Sequence, residues 1–139
     1  MMDGNPLGSA ILGVGTDILN IDRVAGVIQR SGPRLGERIL SSAERKRVDV
    51  LDPRAVAKAF AAKEAVSKAL GTGFRGGISW QHIQLTRDSL GRPVVELTAA
   101  AASRLTQLGG AEVLLSLSDE ASMVLAFAVV SAQLPSHGQ

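Results

Sequence analysis

Asp17, Lys63, Glu64 and Lys68 are the side chains whose type and spacing point to chemistry. Asp17 follows Gly13 and Gly15 at two-residue intervals in 11–18, a stretch that alternates as a strand does. Two glycines on the same face as a carboxylate predict an empty trough beside Asp17, where a ligand could lie. The same aspartate also suits the end of a strand and the cap of the next helix. Lys63 falls near the middle of an apolar helical face, so it must snorkel, pair or hold an anion. Glu64 and Lys68 lie at the edge of that face, four residues apart, a spacing shared with ordinary solubilising pairs. With Lys63 beside them they predict a charged ledge suited to an anionic ligand.

The elements that must position these groups are marked by local signals. Residues 53–70 read as one long helix, with Asp52 as N-cap, Pro53 at the first helical position and Gly71 as the left-handed residue past its end. Val56, Phe60, Val66 and Leu70 form its apolar stripe at about 100° per residue. Seven alanines between Ala55 and Ala69 admit close approach by other backbone or by a ligand. The helix opens into a loop, 71–77, that holds four glycines and Arg75. The string G-x-G-x-x-G at 71–76 follows a helix instead of a strand, which removes the dinucleotide-binding reading. Ile18 removes it at Gly13 and Gly15.

Residues 21–30 predict an amphipathic helix with Ile21, Val24, Val27 and Ile28 inward, Arg23 and Arg30 outward, and Ser31, Gly32 and Pro33 as its stop. Ser41 and Glu44 have capping-box spacing and predict a second helix carrying Arg45, Lys46 and Arg47. Further on come a hairpin (83–86 and 94–97 around 88–91), an alanine-rich helix at 99–108 ended by Gly109 and Gly110, and two strands, 113–118 and 123–130, around a polar turn at 119–122. His82, beside Trp80, reads as structural. Residues 1–9 and 133–139 read as flexible, which makes His137 inert.

The 139 residues, 45% apolar and 20% charged, predict one domain with its own core. No cysteine is present, which excludes disulfides, zinc–thiolate sites and thiol catalysis. Residues 1–10 have neither a basic residue nor an apolar run, so no signal peptide is read there, and 123–130 is too short to cross a bilayer. A cytoplasmic protein with no membrane role is the expectation. The net charge of +2 hides an asymmetry: 12 Lys/Arg against 5 Asp/Glu between Arg23 and Arg75, and 3 against 8 elsewhere. This favours an anionic partner for the basic half. Three Phe, one Trp and no Tyr leave no stacking platform, which argues against nucleic acid.

Three segments together resemble the holo-acyl-carrier-protein synthases, the short type of 4′-phosphopantetheinyl transferase. They are Gly13-Val14-Gly15-Thr16-Asp17-Ile18 with Ile21 and Arg23; Phe60-Ala61-Ala62-Lys63-Glu64-Ala65 with Lys68-Ala69-Leu70-Gly71-Thr72-Gly73; and Leu115-Ser116-Leu117-Ser118-Asp119-Glu120 leading into Ala126-Phe127. The resemblance implies an α+β fold, a largely antiparallel sheet packed against a long central helix. It implies transfer of 4′-phosphopantetheine from coenzyme A to a serine of an apo acyl carrier protein, with release of adenosine 3′,5′-bisphosphate. It implies Mg²⁺ held by Asp17 and Glu64, phosphate charge met by Lys68 and Lys63, and a proton taken by Glu64. It also implies coenzyme A contacts at Gly71, Thr72, Gly73 and Ser118, and a homotrimer with sites at subunit interfaces. Carrier proteins are acidic as a class, so Arg23 is expected to be the main carrier contact, with Arg30 and Arg34 secondary. Two positions depart from the family: Ala59 stands where many members have arginine, and Asp119 where many have histidine. The competing reading is a non-catalytic oligomeric module that binds an acidic protein or anionic ligand through its basic half.

Overall fold

The computed structural model describes residues 10–133. Alternation makes the first strand, β1 (Ile11–Asn20), two-faced, and its glycines make one face flat. Asn20 then caps helix α1 (Ile21–Ser31), its side chain accepting from the Asp22 N–H, and Gly32 at φ 63° turns the chain out of that helix. Ile21 and Val24 are buried as the pattern predicts, with Val27 and Ile28 half-buried.

The next segment differs from the sequence reading. A six-residue helix, α2 (Arg34–Ile39), stands where none was expected. The expected helix from Ser41 is only a 3₁₀ turn, Glu44–Lys46. The Ser41–Glu44 capping box does form, Ser41 N donating to Glu44 Oε1 at 2.8 Å and Glu44 N to Ser41 Oγ at 3.2 Å. The Glu44 carboxylate, however, is drawn into the core. Pro53 also holds Asp52 in an extended conformation (ψ 107°), so no helix could run through to 52.

Helix α3 (Pro53–Ala69) has the predicted ends: Asp52 accepts from the Arg54 and Ala55 N–H groups, and Gly71 takes φ 82°. Its alanines press onto a three-stranded antiparallel sheet of order β1-β5-β4, in which β4 (Gly110–Glu120) and β5 (Met123–Ala132) are longer than predicted. A Cβ on Gly13 would overlap the Ala69 carbonyl oxygen, and one on Gly15 the Ala65 carbonyl oxygen. The predicted empty trough is therefore filled by α3 itself. The hairpin of β2 (Ile83–Arg87) and β3 (Pro93–Leu97) forms a separate two-stranded sheet, and α4 (Ala99–Gln107) links it to β4.

The α+β expectation holds, and the core lies between α3 and one sheet face. The other face is apolar and uncovered: Val14, Ile18, Leu114, Leu125 and Phe127 are 55%, 65%, 51%, 45% and 42% exposed. The tails expected to be flexible lie outside the described residues, apart from Gln133, whose N–H is held by the Gly109 carbonyl at 2.8 Å. His137 also lies outside them.

Candidate active site

Asp17 lies two residues past Gly15 on the glycine face of β1, so the close contact that seats α3 also brings the aspartate beside that helix. Lys68 reaches across from α3: its Nζ donates to the Thr16 carbonyl at 2.9 Å and meets Asp17 Oδ1 at 3.2 Å. The second oxygen, Asp17 Oδ2, is buried and has no hydrogen-bond partner. Glu64, one turn back on α3, is half-buried. Burial pushes its carboxyl above the ordinary value, the negative charge of Asp17 pushes it further, and Lys68 pulls it partly back. The three groups thus form a cluster with more negative charge than its one lysine balances. Among the described residues no group of three or more His, Asp or Glu converges as a ready metal cage. The pair can supply two carboxylates, which is what a hard cation shared with a phosphate ligand takes from a protein.

The glycine loop begins on the same turn of α3. Gly71 N donates to Lys68 O at 2.9 Å, and Gly73 N to Ser67 O at 3.0 Å. Ser67 Oγ in turn donates to the Glu64 carbonyl at 2.8 Å. Gly71 and Gly73 have φ of 82° and 60°, the left-handed region that favours glycine. Gly71, Thr72 and Gly73 are therefore brought to the Glu64–Lys68 turn, with the Thr72 hydroxyl donating to the Gly73 carbonyl at 2.9 Å.

Lys63 must be corrected. It is 0% exposed, and its ammonium donates to Ile39 O at 2.7 Å, Glu44 Oε1 at 2.7 Å and Trp80 O at 3.1 Å. Those three acceptors use all three of its N–H bonds, so none is left for a substrate phosphate. Burial lowers its pKa below that of a free lysine, against the opposing effect of Glu44. Glu44 Oε2 accepts from the Leu85 N–H at 2.7 Å. The site expected at Lys63 is a sealed structural joint.

Ser118 pairs with exposed Leu125, whereas Asp17 pairs with buried Ala126, so within one chain the two side chains lie on opposite sheet faces, and Ser118 shares the uncovered apolar face. Asp119 faces α3 and meets both Arg54 and Lys58; the Arg54 hydrogen bond, foremost, holds its carboxyl below the usual range. Arg54, Lys58 and Ala59 line an open cleft of about 740 Å³ together with Leu85 and Leu115. The sequence reading missed this Arg54–Lys58–Asp119 group, although Arg54 and Lys58 have i, i+4 spacing. Arg23 and Arg30 are exposed seven residues apart on α1, hence on one stripe, and Arg34 is exposed at the start of α2.

Comparison with known proteins gives a consistent result. The sequence pattern of the 4′-phosphopantetheinyl transferase superfamily matches residues 13–127. A holo-[acyl-carrier-protein] synthase of Shewanella amazonensis is 44% identical over 123 residues, spanning 87% of this chain and 98% of the relative. The crystal structure of holo-[acyl-carrier-protein] synthase from Neisseria meningitidis superposes with a TM-score of 0.78 at 38% identity, covering 87% of this chain and 98% of that one. The Helicobacter pylori synthase in complex with coenzyme A superposes at 0.72 and 28% identity, covering 85% and 99%.

Proposed function

The chain belongs to the 4′-phosphopantetheinyl transferase superfamily, and on that premise we propose that it transfers 4′-phosphopantetheine from coenzyme A to a serine of an apo acyl carrier protein, releasing adenosine 3′,5′-bisphosphate. The observation that carries the reading is the meeting of Asp17, Glu64 and Lys68 at the start of a glycine loop.

Asp17 and Glu64 fit a hard divalent cation, Mg²⁺: both offer oxygen, Asp17 Oδ2 has no hydrogen-bond partner, and Glu64 lies near enough for the charge of Asp17 to add to the effect of burial on its carboxyl. Held there, Mg²⁺ would neutralise the diphosphate of coenzyme A. The remaining steps belong to the chain's own residues. Glu64 accepts the proton of the carrier serine. The serine oxygen bonds to the phosphorus that bears pantetheine. The bond from that phosphorus to the bridging oxygen breaks, and the electron pair leaves with the bisphosphate. Lys68, 49% exposed at its side chain, meets the charge growing on that oxygen. The bare backbone of Gly71, Thr72 and Gly73 lets the cofactor approach.

Arg23, with Arg30 and Arg34, forms the basic surface for the acidic carrier. Arg23→Glu raises the KM for carrier protein far more than that for coenzyme A, and it flattens the salt dependence that screening over about 8–10 Å gives the wild type. Equal KM values and equal salt dependence would move docking to Arg45, Lys46 and Arg47. The uncovered apolar sheet face supports assembly into a homotrimer, which light scattering reads directly. Among the described residues no helix is long and apolar enough to cross a membrane; the proposed place of action is the cytoplasm.

The deciding experiment incubates an apo carrier protein with coenzyme A, Mg²⁺ and this chain, followed by intact mass spectrometry. A gain of one phosphopantetheine, lost when the carrier serine is replaced by alanine, supports the transferase. Stable binding with no change of mass supports the non-catalytic module instead.

A further inference from the structure

The C-terminal carbonyls of α3 have no partner within the helix, and one of them is claimed from outside. Arg104 of α4, half-buried, donates its Nε–H to the Leu70 carbonyl at 2.8 Å. Its Nη2 lies 3.2 Å from the point that a Cβ on Gly71 would occupy. The other N–H groups of this guanidinium make no hydrogen bond to any described residue. Glycine at 71 is required by its φ of 82°, and a Cβ there would also press on the guanidinium and shift it by a few tenths of an ångström. A cation at a helix C-terminus is favourable in itself, but a lysine there would suffice for that. The planar fork lets one edge hold the carbonyl while the other stays beside Gly71, which a point charge cannot do.

What Arg104 grips is the hinge between two parts of the site. On one side are Glu64 and Lys68. On the other are the Gly71 and Gly73 N–H groups, folded back onto the Lys68 and Ser67 carbonyls. We infer that Arg104 is a positioning residue for coenzyme A, acting through the Leu70 carbonyl to hold the 71–73 backbone where the cofactor meets it. The inference rests on the coenzyme A reading above.

The test uses Arg104→Ala and Arg104→Lys in the full chain, with two readouts. Amide exchange at Gly71, Thr72 and Gly73 should quicken about tenfold in Arg104→Ala, the scale of one charge-assisted hydrogen bond, while exchange in β5 stays as it was. The KM for coenzyme A should rise by a similar factor of about ten, with kcat and the KM for carrier protein within about twofold. Arg104→Lys should recover part of that loss. A merely structural cap would lower the melting temperature and the active fraction without separating the two KM values. Unchanged exchange at 71–73, or KM values that rise together, would overturn the inference. If Arg104→Ala does not fold, Arg104→Lys is read on the same two measurements and must show the smaller change confined to coenzyme A. A wild type that never modifies carrier protein removes the functional reading itself, a separate outcome from a working wild type matched by Arg104→Ala.

Discussion

Lys63 and Lys68 leave the same helix a turn and a half apart and meet opposite surroundings. Lys63 is sealed at 0% exposure, and its whole donor set is spent on two carbonyls and Glu44. Lys68 is 49% exposed and shares one carbonyl and one oxygen of Asp17, whose second oxygen stays without a partner. The first arrangement is complete and has nothing left to offer a ligand. The second is short of positive charge and of donors, and that deficit is what the proposed cation and phosphate would relieve. On the proposed reading, then, the unsatisfied carboxylate facing α3 from β1 marks the site better than the buried charge on α3 does.

The largest effect should come from the deficient side. Asp17→Ala or Glu64→Ala should cut transfer by about a thousandfold or more, the upper end of what a single electrostatic group supplies, while the melting temperature holds or rises. Rates by mass spectrometry and melting curves check both halves, and near-normal turnover in either variant would break the contrast.

The sealed side should respond in stability instead. Lys63→Met strands Glu44 and should cost about 3–5 kcal/mol, read from a urea transition, with little change in kcat per folded molecule. Adding Glu44→Leu should recover only part of this, because the Ser41 and Leu85 N–H groups then lose their acceptor. A Lys63→Met enzyme that stays stable but loses kcat would place Lys63 back in the chemistry.

Lys68→Ala should raise the barrier by about 2.7–4 kcal/mol, roughly 100- to 1,000-fold in rate, and leave stability within about 1 kcal/mol, as exposed pairs do. Lys68→Arg should lose less. A Lys68→Ala enzyme within about threefold of wild type would reduce the pair to a surface salt bridge.

The smallest and sharpest effect is a pH dependence. The folded-state pKa of Glu64 is raised, so the fold favours its protonated form. That stability is fully present below the unfolded carboxylate's 4.5 and is lost as pH rises through the folded value. In chelator, Glu64→Gln should therefore melt slightly above wild type at neutral pH, and the gap should close as pH falls below 4.5. Added Mg²⁺ should raise the wild-type melting temperature and not that of the variant. A gap that is absent at neutral pH, or that widens in acid, would remove the electrostatic deficit from the description.

Much of this contrast was legible beforehand, for physical reasons. The ends of α3 rest on short-range rules: a capping aspartate, a proline that needs no N–H, and a glycine free to take positive φ. The charged positions on α3 follow from its periodicity. What stayed hidden depended on distant partners. Lys63 was placed correctly on the apolar face, but pairing and anion binding fit such a lysine equally until Glu44, 19 residues earlier, is known to reach it. Helix α2 is six residues long and lacks a side-chain cap, so no local rule announces it. The face on which Ser118 lies stayed hidden because the sequence motif carries no strand register. The glycines of β1 announced an absence of side chains without saying whether ligand or helix would occupy the space.

That absence has a further consequence. The gap between Asp17 on β1 and Glu64 and Lys68 on α3 is set by atoms that are not there, the β-carbons of Gly13 and Gly15. The two halves of the site are gauged against each other as parts are on a jig, by bare backbone resting on bare backbone. Gly15→Ala, the mildest replacement by chemical similarity, adds one carbon where the Ala65 carbonyl already lies and forces the helix off the strand. Size therefore governs tolerance at these positions, and a charge-neutral, apolar change can undo a site whose every charged residue is intact.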